Sequence, residues 1–364
     1  AQRRKTMKLD ASGNRPPQYG LMTPGVIADW NAYQYYFYSN GTYCAGLEAA
    51  GRALKQLGRG DGDVFLREAR SYRNDIVRAY RWAQALTPAT ALQNGAWVAG
   101  QPSQVHCPGP LSEFYAGEDG SRSWCYDVEV GAHNLIQQGI LPADGADSRE
   151  IADYLEDVMF LKDGWGDYPA AESQKDWFDL GGFAKVQPYY GRLTEVYAMR
   201  DDVKPFIRSY FNMIASLVDP SNLTIWEHFD HMGAPDKTHE TGVFLQQSRF
   251  MLLKERGDQL WLAPFVTSNW MKDGMSVEVE HAPTFFGPVG YRIVSHVAHG
   301  TIEAIVDATG IRTASSIVLR LRHPKGLPMR KVIVDGKNWR RFDSIKETVT
   351  LRPKQGVMRV QAFY

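Results

Sequence analysis

The apolar residues of this chain change their spacing once, near Gly257. Before it they recur three and four residues apart, as on one face of a helix. After it they alternate with polar residues, as on a strand. Helices in succession followed by strands in succession build two different layers. An α domain over residues 1–256 and a β domain over 257–364 are therefore expected. A chain of 364 residues is long enough for two domains.

The helical part reads as pairs. After a lead-in rich in Pro, Gly and basic residues, a helix is expected from about Asp29 to Gly58, with Tyr33, Tyr36, Phe37, Cys44, Leu47, Ala50 and Leu54 on its apolar face. Gly58-Arg59-Gly60-Asp61-Gly62 breaks it, and Asp63 caps a second helix to about Ala85. The pair makes an αα-hairpin. Residues 87–124 lose the pattern and hold Pro88, Pro102, Pro108 and Pro110. A second pair is expected over Trp124–Ile140 and Ser148–Lys162, and a third over Phe183–Ala198 and Asp201–Val218. A last helix runs from about Glu240 to Glu255. The intervening segments are long and aromatic, which suits a binding rim.

Beyond Gly257, alternation marks strands at 276–280, 291–298, 301–307, 316–322, 331–334, 347–351 and 356–363. Turn signals such as Asp335-Gly336 separate them. An antiparallel β-sandwich is expected.

Charge bounds the partners. Forty-one basic residues balance 41 acidic ones, so the chain lacks the surplus Lys and Arg of a dedicated nucleic-acid binder. No apolar run reaches the ~18 residues of a membrane span. Ala1 to Lys8 is basic with no apolar run behind it, so no signal peptide is read there. Cys107 and Cys125 would close a loop as a disulfide, which suits an oxidising compartment, and a secreted or periplasmic location is expected. Asn40-Gly41-Thr42 and Asn222-Leu223-Thr224 match the glycosylation acceptor pattern.

The stretch with the most chemistry is Leu223-Thr224-Ile225-Trp226-Glu227-His228-Phe229-Asp230-His231, just after the turn residues Asp219-Pro220-Ser221-Asn222. A Trp offers a flat apolar face to a pyranose, and a Glu beside it offers general acid/base chemistry. Glycoside hydrolysis needs two carboxylates. Glu227 is the first candidate, and Asp127 or Glu129 the second, with Glu113 and Asp179 in the irregular loops behind them. Trp226, Trp177, Asp179 and Tyr190 are candidate substrate-binding residues, with His228, His231 and His239 directed at sugar hydroxyls. The three histidines lack the spacing of a helical metal site and the chain has no CxxC pair, so neither a metal nor a cofactor is expected. No phosphate-binding loop, dinucleotide fingerprint or Gly-x-Ser-x-Gly elbow occurs.

Four passages carry a resemblance. They are Gly20-Leu21-Met22-Thr23-Pro24 before an aromatic helix; Ala49 to Gly58 with Tyr72 to Ala79; Thr224-Ile225-Trp226-Glu227-His228-Phe229; and Val334-Asp335-Gly336 in the strand-rich tail. Together they resemble the C-terminal part of six-hairpin (α/α)6-barrel glycoside hydrolases of the α-L-rhamnosidase-like group. The resemblance implies an α/α toroid followed by a β-sandwich, an inverting glycosidase acting on a plant or algal polysaccharide or oligosaccharide, and Glu227 as the general base. Here the chain reads as about seven helices against that group's twelve. The general acid would then fall on a further chain or segment that completes the barrel, or on Asp127 or Glu129. Thr238-His239-Glu240 echoes the group's Asn-His pair. Two other classes compete. A polysaccharide lyase would use Tyr189, His133 and Arg192 on a uronate. A non-catalytic carbohydrate-binding subunit would need only the aromatic rim.

Overall fold

The computed structural model describes residues 7–27, 33–106, 130–159, 192–227, 233–354 and 356–364. It divides into two units, 1–241 and 242–364.

In the first unit α1 (Phe37–Gln56) and α2 (Gly62–Gln84) form the expected hairpin. α1 starts later than its apolar spacing suggests. Residues 33–36 instead pair by backbone, Gln34 with Gly25 and Tyr36 with Gln104. The aromatic residues Tyr33, Tyr35 and Tyr36 favour such extended pairing over a first helical turn. The two helices approach where neither has a side chain. A Cβ on Gly62 would stand 2.8 Å from the Gly51 carbonyl oxygen and the Lys55 amide nitrogen. The Tyr72 hydroxyl donates to Asn40 Oδ1 at 2.6 Å, and the Met22 amide donates to the same oxygen at 2.9 Å, which pins the lead-in against α1. Asn40 is buried, so its acceptor tripeptide is closed to glycosylation in the fold.

The irregular stretch after α2 holds a short hairpin that periodicity did not reveal, β1 (Ala89–Ala91) with β2 (Trp97–Ala99). Its turn is Asn94-Gly95, with Gly95 at φ 82° and the Asn94 side chain accepting from the Ala96 amide. The second helix pair is α3 (His133–Gln137) and α4 (Ala146–Tyr154), the latter running into a π-helical turn over Leu155–Met159. The third is α5 (Leu193–Arg200) and α6 (Val203–Leu217). The expected helical residues 124–129, 160–162 and 183–191 lie outside the described ones.

α3 packs against both α1 and α5, so the first helices of the three pairs stand side by side. Ion pairs link the second helices: Arg81 of α2 with Asp147 of α4, and Arg208 of α6 with Glu156 of the π turn. Gly41 of α1 faces Gln138, whose amide donates to the Tyr38 carbonyl at 3.1 Å.

Helix α7 (Thr238–Leu252) ends three residues before the expected Glu255, because the chain turns directly into β3 (Leu253–Arg256). β3 pairs with β4 (Gln259–Leu262) around Gly257, at φ 62°. The other strands are β5 (Ser276–Ala282), β6 (Val289–His296), β7 (Thr301–Asp307), β8 (Ser316–Arg320), β9 (Lys331–Val334), β10 (Lys337–Trp339), β11 (Phe342–Asp343), β12 (Thr348–Leu351) and β13 (Val357–Phe363). They form a six-stranded sheet in the order β10-β9-β13-β7-β6-β5 and a five-stranded sheet in the order β11-β12-β8-β4-β3. Alternate residues of both sheets share one core, among them Ile293, Ile302, Val306 and Val360 from one and Leu260, Ile317, Leu319 and Leu351 from the other. The second sheet is not wholly antiparallel. β4 and β8 run parallel, because the chain builds β5, β6 and β7 in the other sheet before it returns.

The glycine approach yields a test. Gly62→Ala should cost about 1–3 kcal/mol in urea unfolding, because backbone rather than a flexible side chain must yield. Gly60→Ala meets open space. It should change stability by no more than ~0.5 kcal/mol.

Candidate active site

The Trp-Glu stretch is positioned by a tight reversal at the end of α6. Asp219 Oδ1 accepts from the Ser221 amide at 2.8 Å, and Asn222 Oδ1 from the Thr224 amide at 2.9 Å. Leu223 takes φ 62°, and Val218 bridges antiparallel to Ile225. The Trp226 amide donates to the Leu217 carbonyl at 2.9 Å, so the chain is sewn back onto the helix end.

Glu227 is fixed twice. Its amide donates to the Ala234 carbonyl at 2.9 Å, and the Ala234 amide lies 3.4 Å from its Oε2. Its Oε1 forms an ion pair with Lys237. The Lys237 amide in turn donates to the Ile225 carbonyl at 3.2 Å. The Glu227 side chain keeps 17% of its surface exposed. The carboxylate is thus held in one place at the edge of solvent, with its charge balanced by an ammonium ten residues away.

His239 opens α7 with its Nδ1 3.1 Å from Oε1 of Glu240, which is fully buried. Among the described residues neither Glu240 oxygen has a hydrogen bond of good geometry, and His239 is the ionisable group placed against it. Of the other expected site residues, Asp127, Glu129, His228, His231, Trp177, Asp179 and Tyr190 lie outside the described residues, as do Glu113, Tyr189, Cys107 and Cys125. Of the expected site residues, Trp226, Glu227 and His239 fall among the described ones, the first two consecutive in the chain.

The remaining lyase candidates are occupied. His133 is fully buried in α3. Arg192 donates from Nε to buried Glu195 at 2.8 Å, and Gln137 donates to the other oxygen of that carboxylate at 3.2 Å. Among the described residues no group of three or more His, Cys, Asp or Glu is placed to hold a metal. Nor is any described helix long and apolar enough to cross a membrane.

Sequence reasoning passed over a carboxyl with a perturbed pKa, Glu156. The Tyr197 hydroxyl and the Arg208 guanidinium both donate to its Oε1. Burial nevertheless outweighs these donors and pushes its pKa up, and the Tyr197 hydroxyl, itself deeply buried, is raised well above its ordinary range. Asp153, one turn earlier, is also raised, by burial and then by the neighbouring Asp157. The available signal was Glu156 between Leu155 and Val158 at the end of an amphipathic helix, a position that faces inward. In the β unit, a groove of about 310 Å³ lies over Gly290 between Glu278, Glu280, Arg292 and Asp307.

No family model matches this chain, and no curated protein matches it. A solved structure described as "Glycoside hydrolase" is similar at 7% identity with a TM-score of 0.35, over 90% of this chain and 64% of that chain. The chain thus spans less than two thirds of that solved chain.

A carboxyl whose pKa is higher folded than unfolded favours the fold while protonated. That advantage is lost as pH rises from the unfolded value, near ~4.3, through the folded one. Glu156→Gln keeps an acceptor for Tyr197 and Arg208 without the buried charge. Its melting temperature relative to the parent should therefore be higher at pH 7 than at pH 4. An unchanged difference across that range would show that Arg208 and Tyr197 fully compensate the burial.

Proposed function

We propose that the protein is a glycoside hydrolase whose general base is Glu227. One observation carries this reading: a carboxylate beside a tryptophan is held at fixed position on a loop after a helix pair, with partial access to solvent. Such fixed placement is what a base needs in order to act on one particular water. The three helix pairs read as an arc of an α/α toroid, and the two sheets with a common core as a β-sandwich. The hairpins that complete the toroid would come from a further chain or segment. The substrate class is a plant or algal polysaccharide or oligosaccharide, and the place of action is secreted or periplasmic.

In the inverting mechanism Glu227 takes a proton from water as the water oxygen bonds to the anomeric carbon. A second carboxylic acid gives its proton to the glycosidic oxygen as that C–O bond breaks. Oε1 carries Lys237, so Oε2 would take the proton. Trp226, Trp177 and Tyr190 would hold the sugar ring, with Asp179, His228, His231 and His239 bonding to its hydroxyls. Asp127, Glu129 or a residue of the completing segment would be the acid, about 6.5–9.5 Å from Glu227.

The Lys237 pair favours one alternative, a carbohydrate-binding subunit without turnover, in which Glu227 accepts hydroxyl hydrogen bonds and never a proton. Both are tested by reducing-end release from a panel of plant and algal polysaccharides. Glu227→Gln should lower the rate by about 100-fold or more while leaving binding within a few-fold. Full activity in that variant would sink the assignment. Binding with no turnover in the parent would decide for the subunit.

A further inference from the structure

A second constellation stands apart from the Trp-Glu loop in the chain and is assembled from four segments. Trp82 lies on α2 with 39% of its surface exposed. Its ring meets that of His106 edge to face, with centroids 5.6 Å apart. On another side, the His106 ring meets Tyr35 at 5.9 Å, also edge to face. Gln18 Oε1 is 3.0 Å from His106 Nε2.

Each piece is positioned by the fold. Arg78, one helical turn before Trp82, donates to the carbonyls of Pro16, Pro17 and Tyr19, which holds Gln18 over the same face of α2. The segment carrying His106 is fastened beside Tyr35 by the Val105 amide, which donates to the Tyr35 carbonyl at 3.2 Å. His106 itself adopts φ 65°. Left-handed backbone is unfavourable for a residue with a Cβ, and such strain concentrates at binding and catalytic sites. Two residues before it, Gln104 is fully buried and its amide nitrogen has no hydrogen-bond partner among the described residues, a second departure from a settled interior. Burial holds the His106 imidazole below its usual pKa, so at neutral pH it is an uncharged ring with both donor and acceptor character.

A half-exposed indole beside an uncharged imidazole and a carboxamide is what a pyranose requires. The ring C–H face stacks on the aromatic surface, and the hydroxyls meet planar polar groups. We propose that Trp82, His106, Tyr35 and Gln18 form a carbohydrate-binding platform, with Trp82 stacking on one pyranose of a polysaccharide and His106 and Gln18 hydrogen-bonding its hydroxyls. The ligand class rests on the glycoside reading above, whereas the platform does not require Glu227 to be catalytic.

Native affinity electrophoresis of the full chain in gels containing xylan, laminarin, arabinogalactan or rhamnogalacturonan tests it. Retardation is expected in at least one gel. It should weaken about tenfold or more in Trp82→Ala and at least threefold in Gln18→Leu, and remain in Trp97→Ala, where a more exposed tryptophan sits on β2. Melting curves confirm that the variants are folded, and Gln18→Leu decides the matter if Trp82→Ala is not. Retardation unchanged in both Trp82→Ala and Gln18→Leu overturns the proposal, and so does a parent protein retarded by none of the four. The Glu227→Gln protein should be retarded like the parent. If that variant keeps full hydrolysis while Trp82→Ala loses retardation, the catalytic reading falls and the platform stands.

Discussion

A helical hairpin buries one face between its own two helices and leaves another that only a neighbour can cover. The first unit solves this by setting α1, α3 and α5 side by side, with α3 touching both others. The approach is close: Gly62 leaves no room for a Cβ against the α1 backbone, and Gly41 makes way for Gln138. Charged groups tie the second helices, Arg81 to Asp147 and Arg208 to Glu156. The reversal that carries Trp226 and Glu227 starts from the last carbonyl of α6, that of Leu217.

Much of this was legible before any coordinates. The change of period puts the helices before the strands but lies a few residues late, since β3 already begins at Leu253; α2 is read to within a residue or two at each end, and β7 and β9 coincide with their alternating runs. Periodicity failed where backbone pairing competes with it. Residues 33–36 carry helical spacing but pair with Gly25 and Gln104, partners that are distant in sequence and invisible to a local window. The β1–β2 hairpin was missed because its strands have three residues each, too few to alternate, although Asn94-Gly95 marked its turn. The parallel β4–β8 pair was equally hidden, since strand direction follows from the route of the chain.

The same division holds at the candidate site. Residue type and turn chemistry single out Trp226-Glu227. The identity of the cation on Glu227 does not follow from them, because Lys237 is brought there by a second reversal through Ala234. Nor does a sequence show the left-handed backbone of His106. Nothing about Val105-His106-Cys107 signals a turn.

Two of the carboxylates with cationic partners, Glu227 and Glu156, show why burial matters as much as pairing. Glu227 and Glu156 each meet one cation, Lys237 and Arg208, and each side chain is 17% exposed. Glu156 has a further donor in Tyr197, yet burial still raises its pKa, so the ionised form is the costly one. A guanidinium and a phenol that serve to hold one carboxyl among packed helices make a clasp, and a clasp that works only by staying closed does not turn over a substrate. Glu227 sits on a loop, its backbone fastened through Ala234, so its position does not depend on the ion pair alone. Its lysine can be displaced without unravelling a helix. That difference, more than the count of charges around each, is what supports the proposal of Glu227, and not Glu156, as the base.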